Sequence, residues 1–266
     1  MRWEELSVPE VEALDRERTV LILPLGSVEQ HGRHLPVGTD TMLATAVSIA
    51  AAERLAGRVV VLPPPWYGFS QHHMRFAGTI TLTASTMLAL VEDIVASVVA
   101  HGFRRLALVN GHGGNIGIID VLSSTLGHRF YGQARIAGLT YFQLAREAIA
   151  KLRLSRAGGM GHACEFETAM MQHLRPELVA LAMAEVTYPD PGSAYLSTDL
   201  LGGPRVRIYH DFGDLSQSGT LGDPSLANVE AGARFNDAVV SELVRFIEDF
   251  AGWKIPEGLK AGPPSP

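Results

Sequence analysis

Four short apolar runs, each followed by a longer helical pattern, constrain the fold of this chain more than any other feature. Strands of a parallel sheet are buried on both faces and therefore read as continuous Val, Ile and Leu runs. The crossover helices between such strands keep one apolar face, with apolar positions three and four residues apart. The predicted strands are TVLILPL (19–25), RVVVLPP (58–64), RRLALVN (104–110) and ARIAGLTYF (134–142).

Strands that alternate with helices predict an α/β fold with a mostly parallel sheet between two helical layers. A short additional strand is expected at 79–82. No linker or charge block divides the chain, so we expect a single domain over residues 1–255 and a flexible tail over 256–266. The predicted helices are 41–55, 85–101, 116–127, 143–152, one that follows Gly161, and 225–250.

Charge and composition limit the partners. The net charge of −6 and the isoelectric point near 5.9 supply no basic field for nucleic acid or for an anionic membrane. The first residues lack the basic and then apolar pattern of a secretory signal, and charges interrupt each apolar segment before the ~20 residues of a membrane span. The single cysteine, Cys164, excludes an internal disulfide. We expect a cytoplasmic protein with a small-molecule partner.

Two polar motifs follow predicted strands directly. GSVEQHGRHLPVGTD (26–40) follows the first strand and NGHGGN (110–115) follows the third. Ligand sites of open α/β sheets lie at the carboxyl ends of the strands, so both motifs should meet at one edge. Glu29 and His31 project to the same side of an extended segment. Asp40 precedes a helix, where it could also be only an N-cap.

The loop around His112 has two further interpretations. Its glycines allow the backbone to approach a ligand closely, but they also suit a plain turn between strand and helix. A phosphate cradle is a third possibility, which the lack of a following Lys disfavours.

A third motif, GHACEFET (161–168), contains His162, Glu165 and Glu167. If this segment is helical, the three-residue spacing places His162 and Glu165 on one face. Cys164 is interpreted as a packing residue, because nothing in the sequence shows the base and electropositive surroundings that a nucleophilic thiol needs.

The remaining histidines carry weaker signals. His72 and His73 form a pair in YGFSQHHMRFAGT (67–79), of which one could enter the pocket while both could equally cap a loop. Four others lie in plain helical or loop contexts and receive no role: His101, His128, His173 and His210.

Imidazole and carboxylate ligands together suit Zn²⁺, Mn²⁺ or a related ion. A carboxylate that bridges two ions holds them ~3.5–4 Å apart and presents a metal-bound hydroxide at neutral pH. That hydroxide would attack a carbonyl carbon while the second ion stabilises the developing oxyanion. The grouped side chains therefore predict hydrolysis of a C–N bond.

Five motifs resemble, in order, those of the creatininase (creatinine amidohydrolase) family, over roughly residues 21–232. The resemblance implies a Rossmann-like three-layer α/β/α structure, homo-oligomers that are often hexamers, and two divalent ions per chain, Zn or Mn with Fe also considered. The motifs are GSVEQHGRHLPVGTD, FAGTITL, NGHGGN, GHACEFET and GTLGDPSLANVEAG.

The resemblance also implies roles for single residues. Glu29, Asp40 and His112 would hold one ion, while His31 and the bridging Asp40 would hold the other. Creatinine-hydrolysing members supply a Glu where this chain has Gly114, and we expect Glu165 to replace it as a ligand and catalytic residue. The general acid or base would be His162. The residues expected beside the substrate are His73, Gly113 and Asn115.

Substrate choice stays open. Creatinine-specific members close tryptophans over the substrate near the GHA sequence, but residues 138–167 contain no Trp. We expect a dinuclear amidohydrolase of a small amide, cyclic amide or formamide. The alternatives are a peptidase that trims a precursor peptide in mycofactocin-type cofactor maturation, and a metal-stabilised scaffold without activity, which Gly114 favours. Residues 199–219 are expected to form a lid or an interface.

Overall fold

A computed structural model describes residues 1–257. Its main sheet has four parallel strands in the order β2-β1-β3-β4, which confirms the four predicted strands and their direction. In the central pair, Leu25 lies opposite Asn110, so the two strands end at the same level. The strands are β1 (Val20–Leu25), β2 (Val59–Val61), β3 (Arg105–Asn110) and β4 (Arg135–Thr140).

The continuous apolar runs arise because both faces of the sheet are covered. All six residues of β1 are buried, with Val20 and Ile22 in one core and Leu21, Leu23 and Leu25 in the other. Alternate side chains of a strand point to opposite faces, so one strand serves two hydrophobic layers. The result is the predicted α/β/α arrangement with a mostly parallel central sheet.

Helices α2, α7 and α9 belong to the first core, and α3 and α4 to the second. The helices are α1 (Val8–Glu12), α2 (Thr39–Arg54), α3 (Ala84–Ala100), α4 (Ile116–Arg129), α5 (Tyr141–Leu144), α6 (Arg146–Leu152), α7 (Glu165–Leu174), α8 (Phe212–Leu215) and α9 (Val229–Ala251).

Several predicted elements differ in detail. The helix expected at 143–152 is two short helices, α5 and α6, which meet at Ala145. The strand expected at 79–82 is present only as isolated bridges, from Ile80 to Val28 and from Thr81 to Gly68. Helix α9 begins later than expected, because the Asn228 side chain caps it by accepting the N–H of Ala231.

A short antiparallel pair, β5 (Met160–His162) and β6 (Leu221–Gly222), was not predicted. This pair joins GHACEFET to GTLGDPSLANVEAG beside the main sheet. Three-residue and two-residue strands carry too little periodic signal to be recognised in sequence. Their pairing therefore becomes visible only in the fold.

Over the described part of the chain, residues 1–257, no helix combines the length and apolar character needed to cross a membrane. Residues 258–266, most of the expected tail at 256–266, lie outside the described residues. The single domain over 1–255 and the flexibility of the tail stay predictions.

Candidate functional site

The loops after β1 and β3 meet the first turn of α2 at one edge of the sheet. A Cβ atom at Gly26 would lie 2.4 Å from the backbone N of Thr41, so only glycine lets the first loop pass this close to α2. Side chains from both loops therefore converge on the N-terminal turn of α2, which contains Asp40. Strand β5 and the start of α7 add His162 and Glu167 to the same place.

We call six side chains from these segments the buried cluster: Glu29, His31, Asp40, His112, His162 and Glu167. Each is at most 6% exposed. Within residues 1–257, every basic side chain within 4 Å of the carboxylates of the cluster is a histidine. Buried carboxylates need a compensating charge, and neutral imidazoles do not supply it. The three carboxylates of the cluster therefore need either protonated histidines or a bound cation to balance their charge.

Asp40 lies between two imidazoles. Its Oδ1 is 3.1 Å from Nε2 of His31, and its Oδ2 is 2.9 Å from Nδ1 of His112. Burial raises the pKa of the Asp40 carboxyl, but His31 and His112 outweigh burial and hold that pKa below its ordinary value. An ionised carboxylate with one oxygen toward each histidine is suited to bridge two cations.

His31 is oriented by its own loop. Its Nδ1 donates to the carbonyl of Glu29 at 3.1 Å, which leaves Nε2 facing Asp40 and, at 3.9 Å, Oε1 of Glu167. Burial lowers the pKa of His31, but Asp40, Glu167 and Glu29 together raise it to about 9. Without another cation, the excess negative charge thus favours a proton on His31. Metal-bound histidines commonly show this backbone anchoring of the second nitrogen.

Several atoms of the site are buried without a hydrogen-bond partner in the described chain, among them Oε1 of Glu29, Oδ2 of Asp40 and Nε2 of His73. Leaving a buried polar atom unpaired costs about 1–3 kcal/mol, more if charged. Oδ2 of Asp40 is close to His112 yet forms no hydrogen bond with it, as expected of two lone pairs that face a shared ligand. This donor set fits a divalent cation such as Zn²⁺ or Mn²⁺.

Three sets of side chains offer ligand atoms within 4.8 Å of one another. The sets overlap through shared residues, as in a centre that holds more than one cation. They are Glu29, His31 and His162; Glu29, His72 and His112; and His31, Asp40 and Glu167.

The structure corrects the expectation for Glu165. Both of its carboxylate oxygens accept backbone N–H groups, from Leu154 at 2.8 Å and from Ser155 at 2.9 Å, so it anchors a loop outside the cluster. The assumed helical spacing fails because His162 ends strand β5 and α7 begins only at Glu165.

Glu167 lies where Glu165 was expected. Its Oε2 accepts the N–H of Cys164 at 3.3 Å, and its Oε1 points toward His31. The sequence signal was the position itself, since the third residue of a helix favours a Glu that reaches back to the N-cap. Burial raises the pKa of Glu167 to about 7, with Asp40 and Glu29 adding to the rise and His31 opposing it.

His162 is the member of the cluster that contacts Gln30 and Glu29. Its Nε2 donates to the carbonyl of Gln30 at 2.7 Å, and its Nδ1 lies 3.6 Å from Oε1 of Glu29. Burial, together with the charge of His31, lowers the pKa of His162 well below its ordinary value. The ring is therefore neutral, with the lone pair of Nδ1 directed toward the cluster. A group in this state can accept a proton.

A cavity of about 330 Å³ opens above the cluster. His73 and Gly113, both expected beside the substrate, line it. Asn115 does not: its amide bonds Gly26, Phe69 and Asn110, and so ties three segments together.

Sequence reasoning missed further residues of this cavity. We call residues 197–212 the rim, since many of them line the mouth of the cavity. His210, which received no role, belongs to the rim, and His72 also lines the cavity. Ser70 donates to Oε2 of Glu29 from the segment that also carries His72 and His73. The only sequence signal for Ser70 was its position shortly before the histidine pair.

The sequence profile described as creatininase, creatinine amidohydrolase, matches residues 4–247. The chain belongs to the creatininase family. A mycofactocin precursor peptide peptidase of Mycobacterium ulcerans (strain Agy99) is 33% identical over 231 residues, 84% of this chain and 82% of the relative. A solved structure named "Creatininase Mn" has a TM-score of 0.78 and 30% identity, covering 94% of this chain and 98% of its own.

A mutant creatininase of "Zn-Zn type" is similar to the same extent, with a TM-score of 0.77, 30% identity and coverage of 94% and 98%. Members of the creatininase family are hydrolases of amide bonds, and this chain is one of them. The family and the fold predicted from the sequence are thus confirmed. The buried cluster is a possible metal site of this hydrolase.

Proposed function

We propose that this creatininase-family hydrolase cleaves the C–N bond of a small amide, cyclic amide or formamide, using two divalent ions held by the buried cluster. One observation carries the proposal: Oε1 of Glu29 and Oδ2 of Asp40 are buried without hydrogen-bond partners in residues 1–257, and both residues line the same cavity. The ions are Zn²⁺ or Mn²⁺, with Fe²⁺ also compatible with this donor set.

Asp40 divides the cluster into two groups of ligands. On the Oδ1 side are His31 and Glu167, and on the Oδ2 side are His112 and Glu29. Two ions held by these residues would supply a nucleophilic water at neutral pH and polarise the substrate carbonyl. Glu167 takes the ligand role first expected of Glu165.

His162 moves the protons of the reaction. Its neutral Nδ1 accepts the proton of the attacking water as the new C–O bond forms. The same proton passes to the nitrogen when the C–N bond breaks, so the leaving amine departs neutral. His73, buried and 3.3 Å from Oε1 of Glu29, lines the cavity next to His162 and confines the substrate there.

The cavity suits a small amide or one end of a short peptide, because small-molecule sites typically measure ~300–1,000 Å³. No tryptophan of residues 1–257 lines it, so creatinine is not the proposed substrate. A second candidate is trimming of a short precursor peptide, which the similarity to the mycobacterial peptidase over 84% of this chain supports. A scaffold without activity does not explain ligand atoms that face an open cavity.

The test begins with metal-free protein. Zn²⁺, Mn²⁺ or Fe²⁺ is added back, ions per chain are counted by mass spectrometry, and hydrolysis is assayed with a formamide, a cyclic amide and a short peptide. Asp40→Ala should lose both ions and nearly all turnover. Asp120→Ala, an exposed acid on α4, is the matched control and should keep both. Metal and turnover retained in Asp40→Ala would contradict the proposal.

We further infer a homo-oligomer, a hexamer by family resemblance. An exposed apolar surface beside α2 supports an interface: Trp66 is 46% exposed and Val37 is 40% exposed. Sedimentation velocity should show a species of about six chains. A monomer at micromolar concentration would contradict this inference.

A further inference from the structure

His72 lies in the 3₁₀ turn Gln71–His73, half-buried at the edge of the buried cluster. One of its ring nitrogens is within 4.8 Å of ligand atoms of both Glu29 and His112. Its ring stacks on that of His112, with 5.7 Å between centroids and 11° between planes. The proposed mechanism gives this imidazole no role.

The neighbouring loop cannot supply a ligand here. A Cβ atom at Gly114 would lie 2.4 Å from Nε2 of His112, 2.5 Å from the carbonyl of Phe69 and 2.7 Å from Cε1 of His72. Two of these contacts would remain even if His72 moved, since they involve other residues. The space beside His112 is therefore closed to any side chain from position 114, and the ring of His72 borders it.

We propose that His72 is a ligand of the ion on the Oδ2 side of Asp40, together with Glu29 and His112. This inference rests on the proposed two-ion function. Glu29, His72 and His112 offer one carboxylate and two imidazoles within 4.8 Å of one another, a donor set that suits zinc. His31, Asp40 and Glu167 form the corresponding set on the Oδ1 side, with two carboxylates and one imidazole. The two ions would therefore differ in their donors, while three protein ligands on each side leave a position open to water or substrate.

An imidazole at this place also affects which metal binds. Imidazole suits Zn²⁺ and other later first-row ions, whereas carboxylate suits Mn²⁺. His72 should therefore favour Zn²⁺ over Mn²⁺ on the Oδ2 side. A carboxylate at position 72 should reverse this preference, because it adds a harder and negatively charged donor.

A packing role is the competing explanation, since the ring also lies 4.4 Å from His73 and 5.1 Å from Phe212 between centroids. A packing residue stabilises the protein whether or not metal is bound. A ligand contributes chiefly to the metal-loaded form. Measurements on metal-free and metal-loaded protein separate the two roles.

The test counts ions and measures their affinities in the full chain by mass spectrometry and isothermal titration with Zn²⁺ and Mn²⁺. Loss of a hydrogen bond behind a ligand typically weakens metal binding by about 10–100-fold. Because His72→Ala removes a ligand itself, it should weaken the binding of one of the two ions by about 100-fold or more. His210→Ala, a histidine of the rim outside the three ligand sets, is the matched control and should keep both ions.

His72→Glu is the second variant and covers the case in which His72→Ala does not fold. It should retain two ions and shift the Mn²⁺-to-Zn²⁺ affinity ratio toward Mn²⁺ by at least about tenfold. Cobalt substitution gives a spectroscopic check, since removal of a nitrogen ligand changes the visible absorption of one ion.

Two bound ions of unchanged affinity in His72→Ala, with metal-free and metal-loaded protein destabilised alike, would overturn the assignment. So would an unchanged metal preference in His72→Glu. If wild-type protein bound no metal, the proposed function itself would be wrong, which is a different outcome. The role of His72 can thus fail while the two-ion hydrolase stands.

Discussion

The buried cluster and the rim form the two ends of one cavity, yet they are built differently. Residues of the cluster are at most 6% exposed, and neighbouring side chains fix their backbone: Asn110 donates to the carbonyl of His112 at 2.7 Å and to Thr140 at 3.0 Å. Every residue of the rim is half-buried or exposed, and helix enters it only at Phe212.

This contrast separates chemistry from substrate choice. A metal centre needs ligands held within fractions of an ångström, which packing and hydrogen bonds on rigid elements provide. Substrate selection tolerates, and often uses, surface loops that vary without disturbing the scaffold. We therefore expect variants of the cluster to change metal content or kcat, and variants of the rim residues that line the cavity to change KM.

The largest expected effect concerns the two glutamates of α7. Glu167→Gln should remove a ligand and lower kcat by more than about 100-fold with loss of metal. Glu165→Gln should keep metal but lower the free energy of unfolding by about 1–3 kcal/mol, because one buried N–H of the 154–155 loop loses its acceptor. Metal content and chemical denaturation measure both. Loss of metal in Glu165→Gln and its retention in Glu167→Gln would show that the cluster is misassigned.

His162 offers a sharper test within the cluster. His162→Gln should lower kcat by about 100-fold through loss of the proton acceptor, while both ions stay bound. The pH profile of kcat should also lose the limb that reports this group. If His162→Gln lost an ion instead, His162 would be a ligand, consistent with its place beside Glu29 and His31.

Removal of metal should make stability depend on pH in a specific way. The pKa of His31 is raised to about 9 in the metal-free fold from an ordinary value of 6.5. A raised pKa stabilises the fold fully below about 6.5, and this contribution disappears as pH rises through about 9. The melting temperature of metal-free protein should therefore fall as the pH rises from 6.5 to 9.

Metal-loaded protein should not show that loss, because the cation replaces the proton. At ion concentrations of 100 to 1,000 times Kd, bound metal adds about 2.7–4.1 kcal/mol. Thermal scans of both forms across this pH range are the measurement. Parallel curves would mean that the ions do not contact His31.

The smallest expected effect lies in the rim. Arg207 lines the cavity, and in the described chain no carboxylate lies within 4 Å of its guanidinium. Arg207→Ala should raise KM by roughly 3–10-fold for a carboxylate-bearing amide, as expected for an exposed ion pair, with kcat and metal content unchanged.

Arg205→Ala is the control for that variant, since the Arg205 guanidinium stacks on Tyr195 at 5.0 Å, outside the cavity. It should leave KM near the wild-type value. A change in kcat or in metal content with Arg207→Ala would contradict the separation of rim and cluster.

Much of this protein was determined by its sequence alone. The apolar runs of β1 to β4 and the polar motifs that follow β1 and β3 already predict a sheet edge rich in carboxylates and imidazoles. They bring together Glu29, His31, Asp40 and His112, because these side chains follow directly from strand ends and one helix start. Local pattern and parallel topology suffice for such positions.

Only the tertiary structure placed Glu167 rather than Glu165 in the buried cluster, kept Asn115 out of the cavity lining and brought His72 beside His112. The reason is the path of the backbone between elements. Ala163 adopts a φ of +48°, so the chain turns sharply between β5 and α7, and helical spacing no longer tells which side chain faces the site. Turns of this kind are set by contacts with distant segments, which sequence spacing does not contain.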